Sequence, residues 1–384
     1  METADVVVVG GGIAGVSVAR ELAGAALRVV LVEAESTLAF HTTGRSAAQY
    51  LENYGNDVVR RLTLSSRAFF DAGGDAPLWS PRAFLRVGRA SHVETLRREA
   101  EEAKRLVPST TCLDGDEARR IVPVLRADVE GAIYEPGAME LDVAAIHQTC
   151  VRQLRAAGGE VRSDAPVTAI DQVGEDWRIR VADGSHLDAP IVVNAAGAWG
   201  DVVGRLAGAE PLGLRPLRRS VAVATLPDDI DASAWPLVAF EADDGSMDGY
   251  CKPEPGGLLI SPADETPSVP CDARPEEIDI ARGLDGLARW TTLDLRHVRS
   301  TWAGLRTFTA DRTPVAGFAP SAPGFFWLVG QGGIGIQTAP ALARAAAGLM
   351  IDGRLPADLI AAGLTEADLS PTRPSLAGDL VTGH

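Results

Sequence analysis

The sequence predicts an α/β protein in which a parallel sheet flanked by helices is combined with a second, mostly antiparallel sheet. Two units predict the parallel part, because in each of them an apolar strand runs directly into glycines and then into a helix. These units span Val6–Ala23 and Phe325–Met350. Short apolar runs between Val161 and Ser261, separated by turns such as Asp183-Gly184, predict the antiparallel part.

The composition is that of a globular protein with a substantial core, since hydrophobic residues make up 46% of the 384 residues and charged residues 23%. This length predicts two structural domains. The net charge of −16 argues against nucleic acid or an anionic membrane as a partner. No apolar run reaches the ~18 residues of a membrane span, and no basic region precedes the N-terminal apolar run. We therefore expect a cytoplasmic protein.

The cysteines and histidines exclude several classes of site. The four cysteines form no CxxC pair, and the six histidines have neither metal-ligand nor triad spacing. The sequence also lacks the G-x-S-x-G motif of many hydrolases. We therefore expect no disulfide framework, no metal site and no hydrolase chemistry.

The first glycine-rich unit has the features of a dinucleotide-binding turn. The stretch Gly10–Gly15 reads GxGxxG, follows the apolar strand Val6–Val9 and opens a helix from Ile13. Its glycines let backbone N–H groups approach a pyrophosphate, and the helix N-terminus adds partial positive charge. Glu33 ends the next strand, 18 residues beyond Gly15, where a carboxylate can accept hydrogen bonds from ribose hydroxyls. The alternative is a glycine turn without a ligand.

Two further stretches favour FAD over NAD as the dinucleotide. The loop Phe40–Ser46 is dense in hydrogen-bond donors and could cover a pyrophosphate or reach a flavin. The second glycine unit, Gly330–Gln337, opens a helix whose N-terminus suits the negative charge of a reduced flavin ring. The strand in Ile191–Trp199 ends in small residues that would let a bulky group pass. An NAD-linked dehydrogenase is the alternative.

The remaining periodic segments predict further helices and strands. A strand is expected at Ala83–Val87, and an amphipathic helix at Ser91–Leu106 with Ser91 as its N-cap. Asp142–Ala156 is expected to be a second amphipathic helix. The runs Val221–Phe240 and Tyr250–Ser261 are expected to contain strands, the second run turning near Pro253–Gly257.

These motifs resemble the D-amino acid oxidase superfamily of FAD enzymes over nearly the whole chain. The resemblance is carried by Gly10–Gly15 with Glu33, and by the stretches His41–Ala48, Val193–Trp199, Thr301–Arg306 and Gly332–Thr338. Within the superfamily, Gly44–Ala48 and Gly332–Thr338 are most similar to the bacterial D-arginine dehydrogenase type.

The resemblance implies a Rossmann-like FAD-binding domain of the glutathione-reductase type and a mostly antiparallel substrate domain. The first would comprise residues 1–80, 142–212 and 298–384, and the second residues 81–141 and 213–297. The resemblance implies that FAD is bound by Gly10, Gly12, Ile13, Ala14, Gly15, Glu33, Ala34, Thr42, Thr43, Gly44, Arg45, Ser46, Ala47, Ala48, Val167, Ala195, Ala196, Gly197, Trp199, Gly304, Arg306, Gly332, Gly333, Ile334, Gly335, Ile336 and Gln337.

Arg306 is the first candidate for the substrate end, because an arginine can hold a carboxylate through two parallel hydrogen bonds. No other charge follows it until Asp311. The family pattern also implies a carboxylate-binding arginine at this position and a second at Arg219, although the adjacent Arg218 stays an alternative.

The resemblance further implies that Tyr250 donates to the same carboxylate and that Tyr54 lies on a loop covering the site. Gln337 and Gly333 would line the space between flavin and substrate. The implied reaction is hydride transfer from the substrate α-carbon to flavin N5, which gives an imino acid that hydrolyses to a 2-oxo acid and ammonia. This chemistry requires the protein to position the substrate and to provide suitable electrostatics, and it does not require a strong base. No histidine is assigned a catalytic role, and His41, in the loop expected near the flavin, comes closest to one among the six.

Two positions depart from the arginine-type pattern. Phe84 stands where those relatives have a carboxylate, and Gln49 stands where they have a histidine. An unpaired buried guanidinium would cost about 3–5 kcal/mol, so we expect a substrate with an apolar or aromatic side chain. The region Asp243–Gly249 also looks longer than in those relatives and could reshape the lid.

Other functions stay open at the level of the sequence. A secondary-amine oxidase of the glycine or sarcosine type is the alternative on the same fold. A non-catalytic or partner-dependent FAD subunit of a larger complex is the alternative from another class. The sequence leaves open the electron acceptor, which could be oxygen, a quinone or a dye. It also leaves open the oligomeric state and a covalent link to FAD.

Overall fold

The computed structural model describes residues 2–242 and 244–381. The α-helices are α1 (Ile13–Gly24), α2 (Asp57–Ala72), α3 (Val93–Ala103), α4 (Gly115–Ile121), α5 (Val143–Ala156), α6 (Gly200–Leu206), α7 (Glu277–Trp290), α8 (Gly335–Ile351), α9 (Ala357–Ala361) and α10 (Glu366–Leu369). Short 3₁₀ turns lie at Thr42–Arg45, Ala90–His92, Gly197–Trp199 and Pro374–Ala377.

The strands lie in several sheets and are numbered in chain order. They are β1 (Glu2–Thr3), β2 (Val6–Val9), β3 (Val29–Val32), β4 (Gln49–Tyr50), β5 (Trp79–Pro81), β6 (Phe84–Gly88), β7 (Thr111–Asp114), β8 (Gly131–Glu135), β9 (Met139–Leu141), β10 (Glu160–Arg162), β11 (Val167–Val173), β12 (Asp176–Val181), β13 (His186–Ala189), β14 (Ile191–Asn194), β15 (Arg215–Ala224), β16 (Leu237–Glu241), β17 (Met247–Glu254), β18 (Gly257–Ser261), β19 (Thr266–Pro267), β20 (Val298–Phe308), β21 (Val315–Phe318) and β22 (Phe325–Val329).

A parallel sheet brings the two ends of the chain together. Its strand order is β10-β3-β2-β14-β22-β21, and only the pairing of β21 with β22 is antiparallel within the described residues. The strands β2, β3 and β22 are buried along their whole length, as expected for strands covered on both faces. Because β14 pairs with β2 on one side and β22 on the other, the glycine turns after β2 and β22 lie close together.

Helices rich in small residues cover one face of the parallel sheet. The helix α1 packs against both α5 and α8, and α2 packs against α8. Alanines dominate the buried positions of α8, and Gly15 of α1 is also buried, so these helices can approach the sheet and one another closely. This packing fixes the N-termini of α1 and α8 at the same edge of the sheet.

A large, mostly antiparallel sheet forms the other main layer. Its order is β19-β15-β18-β17-β16-β6-β8-β7, with β20 paired to β15 as well. The pairing of β16 with β6 is parallel. Behind this sheet, Trp290 of α7 stacks on Phe240 of β16 with ring centroids 5.8 Å apart. That contact anchors α7 to the sheet and leaves the opposite sheet face toward the glycine turns.

The predicted α/β fold class is confirmed, and most predicted elements are present. Asp142 caps α5 by accepting a hydrogen bond from Ala145 N. The prediction of Ser91 as N-cap of the next helix was wrong, because residues 90–92 form a 3₁₀ turn and α3 begins at Val93. The helices α2 and α7 were not predicted, although α2 has turn residues at both ends: Asn56 caps it by accepting from Val59 N, and Gly73, with a φ of 70°, follows its last residue.

The predicted domain boundaries stay a prediction. The strand β20 falls in the predicted FAD-binding segment 298–384, but it pairs with β15 of the large antiparallel sheet. The pairing runs from Arg215 opposite Phe308 to Ala224 opposite Val298. Of the predicted lid region 243–249, Asp243 lies outside the described residues. Residues 247–249 belong to β17. In the described part of the chain, we find no helix long and apolar enough to cross a membrane.

Candidate functional site

A cavity of about 600 Å³ lies between the glycine turns and the large sheet. It gathers many of the residues that the sequence predicts for the cofactor and the substrate. Those that line it are Gly12, Ile13, Ala14, Thr42, Thr43, Arg45, Ser46, Ala47, Ala48, Tyr54, Ala195, Gly197, Arg219, Tyr250, Gly304, Arg306, Gly332, Gly333, Ile334, Gly335, Ile336 and Gln337. The structure thus brings residues from both chain ends and from the middle into one continuous space.

The first glycine turn is closed so tightly that only glycine fits at Gly15. A Cβ there would stand 1.8 Å from the carbonyl oxygen of Gly10, so a larger residue would push the helix away from the strand. Glu33 braces the same turn, because its Oε2 accepts from Gly11 N at 2.6 Å and its Oε1 accepts from Glu35 N at 2.9 Å. The predicted ribose acceptor is therefore held by backbone N–H groups beside the turn.

His147 is a contact of this turn to which the sequence pattern assigned no role. It lies on α5, is 6% exposed, and donates from Nε2 to the carbonyl oxygen of Gly11 at 2.9 Å. Burial lowers the pKa of His147, although the bond to Gly11 and the charge of Glu33 oppose the shift. The imidazole is therefore neutral at neutral pH and carries its proton on Nε2.

The loop after β3 crosses the cavity and is fastened to the large sheet. Thr43 Oγ1 accepts from Ile13 N at 3.0 Å, and Thr42 Oγ1 donates to Leu305 O at 2.8 Å. The guanidinium of Arg45 is occupied by structural partners, since its Nη1 donates to the carbonyl oxygens of Ala273 and Ala303. Arg45 therefore orders the loop even though it also borders the cavity.

The second glycine turn packs directly against the predicted substrate arginine. Gly332 N donates to Thr307 O at 2.8 Å, which ties the turn to β20. A Cβ on Gly333 would stand 2.5 Å from Nε of Arg306. A larger residue at this position would require the guanidinium of Arg306 to move.

Gln337, predicted to line the space between flavin and substrate, borders the cavity and is bonded to the loop after β4. Its side chain is buried, accepts from Leu51 N at 3.0 Å and donates to Thr63 Oγ1 at 3.0 Å. Although Gln337 borders the cavity, these bonds hold the loop that carries Asn53 and Tyr54. Its proposed contact with a ligand stays a prediction.

The shape and chemistry of this half of the cavity fit a long dinucleotide such as FAD. A Cβ on Gly12 would come within 3.2 Å of Thr43 Oγ1 and fill the cradle between them. The N-termini of α1 and α8 both face the cavity and add partial positive charge suited to phosphate and to an electron-rich ring. Gly304 also borders the cavity and leaves room for a flat group beside β20.

Two arginines and two tyrosines converge at the substrate end. Arg219 and Gly304 are paired across β15 and β20, and Arg306 lies on the same sheet face two residues along β20. The guanidinium carbon of Arg219 lies 5.9 Å from the centre of the Tyr250 ring, and Arg306 Nη2 donates to Tyr54 Oη at 3.4 Å. The side chains of Arg219 and Arg306 are each 11% exposed.

These arginines carry unused donors. Among the described residues, no hydrogen-bond partner is found for Nη2 of Arg219 or for Nε of Arg306. Burial, and then the charge of Arg306, lowers the pKa of Arg219. Two adjacent guanidinium groups that line the cavity and retain donors without hydrogen-bond partners form a site suited to a carboxylate. The alternative Arg218 is bound to Glu276 and Asp279 and does not line the cavity.

A residue that no sequence pattern indicated lies behind these arginines. Glu265 Oε1 is 3.5 Å from Arg306 Nη1 and 3.6 Å from Arg219 Nη2. Both of its oxygens accept from Arg312, at 3.1 Å and 2.5 Å. Burial alone would raise the pKa of Glu265, but the bond to Arg312 and the charges of the three arginines lower it. Glu265 is therefore a carboxylate at neutral pH.

The cavity lining also includes an apolar wall and a group of charged side chains. The apolar wall is formed by Phe84, Val221, Leu237 and Ala239, and the effect of Phe84 on substrate preference stays a prediction. Arg86, Glu99, Glu135 and Glu241 are the charged residues, with Arg86 Nη1 at 3.5 Å from Glu241 Oε2. Burial raises the pKa of both Glu135 and Glu241.

Several predicted residues lie outside the cavity lining. These are Gly10, Gly15, Glu33, Ala34, Gly44, Val167, Ala196 and Trp199. The first three build the turn itself, and Val167 begins β11 in a different sheet. His41 borders this region, because its ring lies 4.6 Å from that of Trp199 and its Nε2 lies 2.9 Å from Glu35 Oε1. Their proposed contacts with a cofactor stay predictions.

Comparison with known proteins places these features in a family. A family model described as FAD dependent oxidoreductase (DAO) matches residues 5–349. Mitochondrial sarcosine dehydrogenase from Homo sapiens is 24% identical to the chain over 376 residues, covering 93% of the chain. The chain spans only 40% of the length of that relative.

Solved structures share the fold at low sequence identity. L-proline dehydrogenase from P. horikoshii has a TM-score of 0.83 at 20% identity, with 97% of this chain and 98% of that chain covered. Glycine oxidase from Geobacillus kaustophilus has a TM-score of 0.83 at 22% identity, with coverages of 97% and 99%. At such identities the likeness establishes the fold.

Proposed function

The chain belongs to the DAO family of FAD-dependent oxidoreductases and has FAD as its cofactor, and we propose that it oxidises the carbon–nitrogen bond of an amino acid. The observation that carries the proposal is the convergence of Arg219, Arg306 and Tyr250 beside the second glycine turn. A carboxylate held by the arginines would place the neighbouring carbon and nitrogen next to that turn.

The chain's own residues would bind and orient the substrate. Arg219 and Arg306 would hold the carboxylate through charge-assisted hydrogen bonds, with Tyr250 and Tyr54 as further hydroxyl donors. The same positive charges disfavour a protonated amine nearby, which helps the nitrogen to lose its proton. Bound FAD would accept a hydride from the carbon next to the nitrogen, and water would hydrolyse the resulting imine.

Two substrate classes remain within this proposal. The apolar wall of Phe84, Leu237 and Ala239 supports a D-amino acid with an apolar or aromatic side chain, as expected from the phenylalanine at position 84. The similar proteins include a sarcosine dehydrogenase and an L-proline dehydrogenase, and because both of those substrates are secondary amines, they favour an N-alkyl or cyclic secondary amine. An apolar wall accommodates either an apolar side chain or an apolar group on nitrogen.

Anaerobic mixing of the FAD-loaded chain with single amines tests both classes. The panel contains D-leucine, D-phenylalanine, D-arginine, L-leucine, L-proline and sarcosine, and loss of the oxidised flavin absorbance is followed. We expect rapid reduction by D-leucine and D-phenylalanine or by sarcosine and L-proline, with D-arginine much slower. D-arginine as the best reductant would contradict the proposed side-chain preference.

The same experiment separates the enzyme from a partner-dependent FAD subunit. Reduction by a free amine in the isolated chain supports catalysis by this chain alone. If no amine in the panel reduces the flavin, although dithionite does, the proposed amine oxidation by the isolated chain is contradicted.

A further inference from the structure

Glu265 lies where a single carboxylate meets three arginines. It stands just before the short strand β19, and 24% of its side-chain surface is exposed. Its Oε1 is within ion-pair distance of Arg219 and Arg306, and both of its oxygens accept from Arg312. Arg219 and Arg306 line the cavity, whereas Glu265 and Arg312 do not. Glu265 is therefore behind the proposed carboxylate site.

Glu265 supplies a negative charge beside two arginines that would otherwise repel each other. Arg219 and Arg306 are like charges, side by side and mostly removed from water. A guanidinium does not lose its proton in a protein, so repulsion can be relieved only by a counter-ion or by movement. Arg306 borders open cavity space, into which it could swing if the counter-ion were neutral.

Arg312 holds this counter-ion through a backbone conformation that is rare for its residue type. Its φ is 56°, in the left-handed region, within a turn where Arg312 N donates to Thr309 O. Its Nε donates to Val381 O at 2.7 Å, which leaves both Nη atoms for Glu265. Such conformations persist only where surrounding contacts enforce them.

Asp311, the residue before Arg312 in this turn, is also held by several hydrogen bonds. Asp311 Oδ1 accepts from Thr313 N and from Arg373 Nη2, and Arg373 Nε donates to Asp311 Oδ2 at 2.7 Å. Phe308 adds a further link, because Arg306 lies 5.1 Å and Arg312 lies 4.4 Å from its ring centre. The turn and the strand β20 thus form one braced unit behind the cavity.

We propose that Glu265 is a positioning residue that, backed by Arg312, keeps Arg219 and Arg306 together in the geometry that receives a substrate carboxylate. This inference rests on the proposed function of the two arginines. Glu265 does not touch the substrate. Its effect is on the affinity for a carboxylate and not on the affinity for an uncharged ligand of the same shape.

Ligand titrations of the FAD-loaded protein test this role. Benzoate and its uncharged counterpart benzamide are each titrated, and binding is followed by the change in flavin absorbance. Glu265→Gln keeps the size of the side chain but removes its charge. We expect its Kd for benzoate to rise at least tenfold while that for benzamide changes less than twofold. Glu265→Asp keeps the charge on a shorter side chain, so we expect an intermediate rise in the benzoate Kd, of about threefold to fivefold.

A matched control separates positioning from general stability. Asp188→Asn breaks the bidentate ion pair with Arg178, remote from the cavity, and should leave the benzoate Kd within twofold. A benzoate Kd within threefold of the parent value, or tighter binding, in FAD-loaded Glu265→Gln overturns the proposal. If that variant does not fold or retain FAD, Glu265→Asp decides, because the shortened side chain should still weaken benzoate at least threefold.

The outcome also distinguishes the inference from the function on which it rests. If the parent protein binds benzoate but is reduced by no amine, the proposed amine oxidation fails and the role of Glu265 in carboxylate binding is still decided by its variants. If the parent protein binds neither benzoate nor any amino acid, both proposals fall.

Discussion

Nε of Arg306 lies so close to Gly333 that a methyl group on that glycine would stand 2.5 Å from it. The arginine belongs to the large sheet and the glycine to the turn before α8, so this contact joins the substrate end to the cofactor end. Any side chain on the turn would therefore displace the guanidinium from the carboxylate site.

Gly333→Ala tests that contact. We expect at least a tenfold rise in the benzoate Kd of the FAD-loaded variant, because the added methyl group displaces the guanidinium of Arg306 from the carboxylate site. The Kd is measured by titrating benzoate and following the flavin absorbance. Gly24→Ala is the control, since a Cβ there meets no atom of the described residues within 4 Å. A benzoate Kd within twofold of the parent value for Gly333→Ala would show that Arg306 adapts without loss.

Arg218 and Arg219 are adjacent in the chain, but only Arg219 lines the cavity. Replacing each of them in turn therefore tests the assignment of Arg219 to the carboxylate site. Arg219→Met removes one cation of the carboxylate site and should cost about 2–5 kcal/mol of transition-state stabilisation. That corresponds to a loss of kcat/KM of roughly thirtyfold or more. Arg218→Met should leave kcat/KM within threefold, although it leaves the buried Asp279 without its main partner and lowers stability. Steady-state kinetics with the best substrate of the panel decides between them, and equal effects would contradict the assignment.

Phe84→Ala should change preference among substrates. Removing this ring leaves part of the apolar wall unfilled, so larger apolar substituents lose contacts that a methyl group never made. We expect the ratio of kcat/KM for D-leucine over D-alanine to fall about tenfold, within the range for a few lost apolar groups. Phe318→Ala, at an exposed ring, serves as the control. An unchanged ratio would place the substrate side chain elsewhere.

His147 predicts a pH-dependent stability. Its pKa is lowered in the folded protein, so below the ordinary value of ~6.5 the unfolded chain binds a proton that the folded chain does not. Stability should therefore fall as the pH falls through this region. His147→Gln retains a donor for Gly11 O, and its free energy of unfolding should fall less between pH 7.5 and 5. Urea denaturation at both pH values measures the difference, with the exposed His297→Gln as control. Parallel losses in all three proteins would exclude His147 as the cause.

Asp311 predicts a loss of stability in stronger acid. Burial alone would raise its pKa, but hydrogen bonds from Arg373, Ser375 and Thr313 N lower it to about 2. The carboxylate of Asp311 therefore stabilises the folded protein fully above pH ~3.8, and this stabilisation is lost as the pH falls toward 2. Asp311→Asn should lower the free energy of unfolding at pH 7 by about 2 kcal/mol. Chemical denaturation measures it, and the exposed Asp294→Asn should change it by less than about 0.5 kcal/mol, as is usual for surface sites. A loss no greater than that of the control would contradict the bracing role.

The glycine turns were predictable because their geometry excludes other residues. Gly15 is required because a Cβ there would stand 1.8 Å from a backbone oxygen, and a requirement of this kind is visible as glycine in a sequence. The strand β2 and the helix α1 followed from the same reasoning, and the structure confirms both.

The support of the carboxylate site was not predictable in the same way. Glu265 lies in a stretch without a motif, and its role arises from Arg219 and Arg306, which strand pairing brings together, and from Arg312 in the turn after β20. His147 looked like one more residue on the inward face of α5, and only the fold shows its bond to Gly11. Long-range contacts of this kind leave no local pattern.

The arrangement of β2, β14 and β22 has a consequence for biosynthesis. Residues 6–9 and 325–329 flank the same central strand although about 300 residues separate them. The nascent chain on a ribosome must therefore wait until nearly all of this span has emerged before the two turns can face each other. During that interval the apolar strand β14 lacks its final neighbour β22, which makes early release or premature termination a route to aggregation.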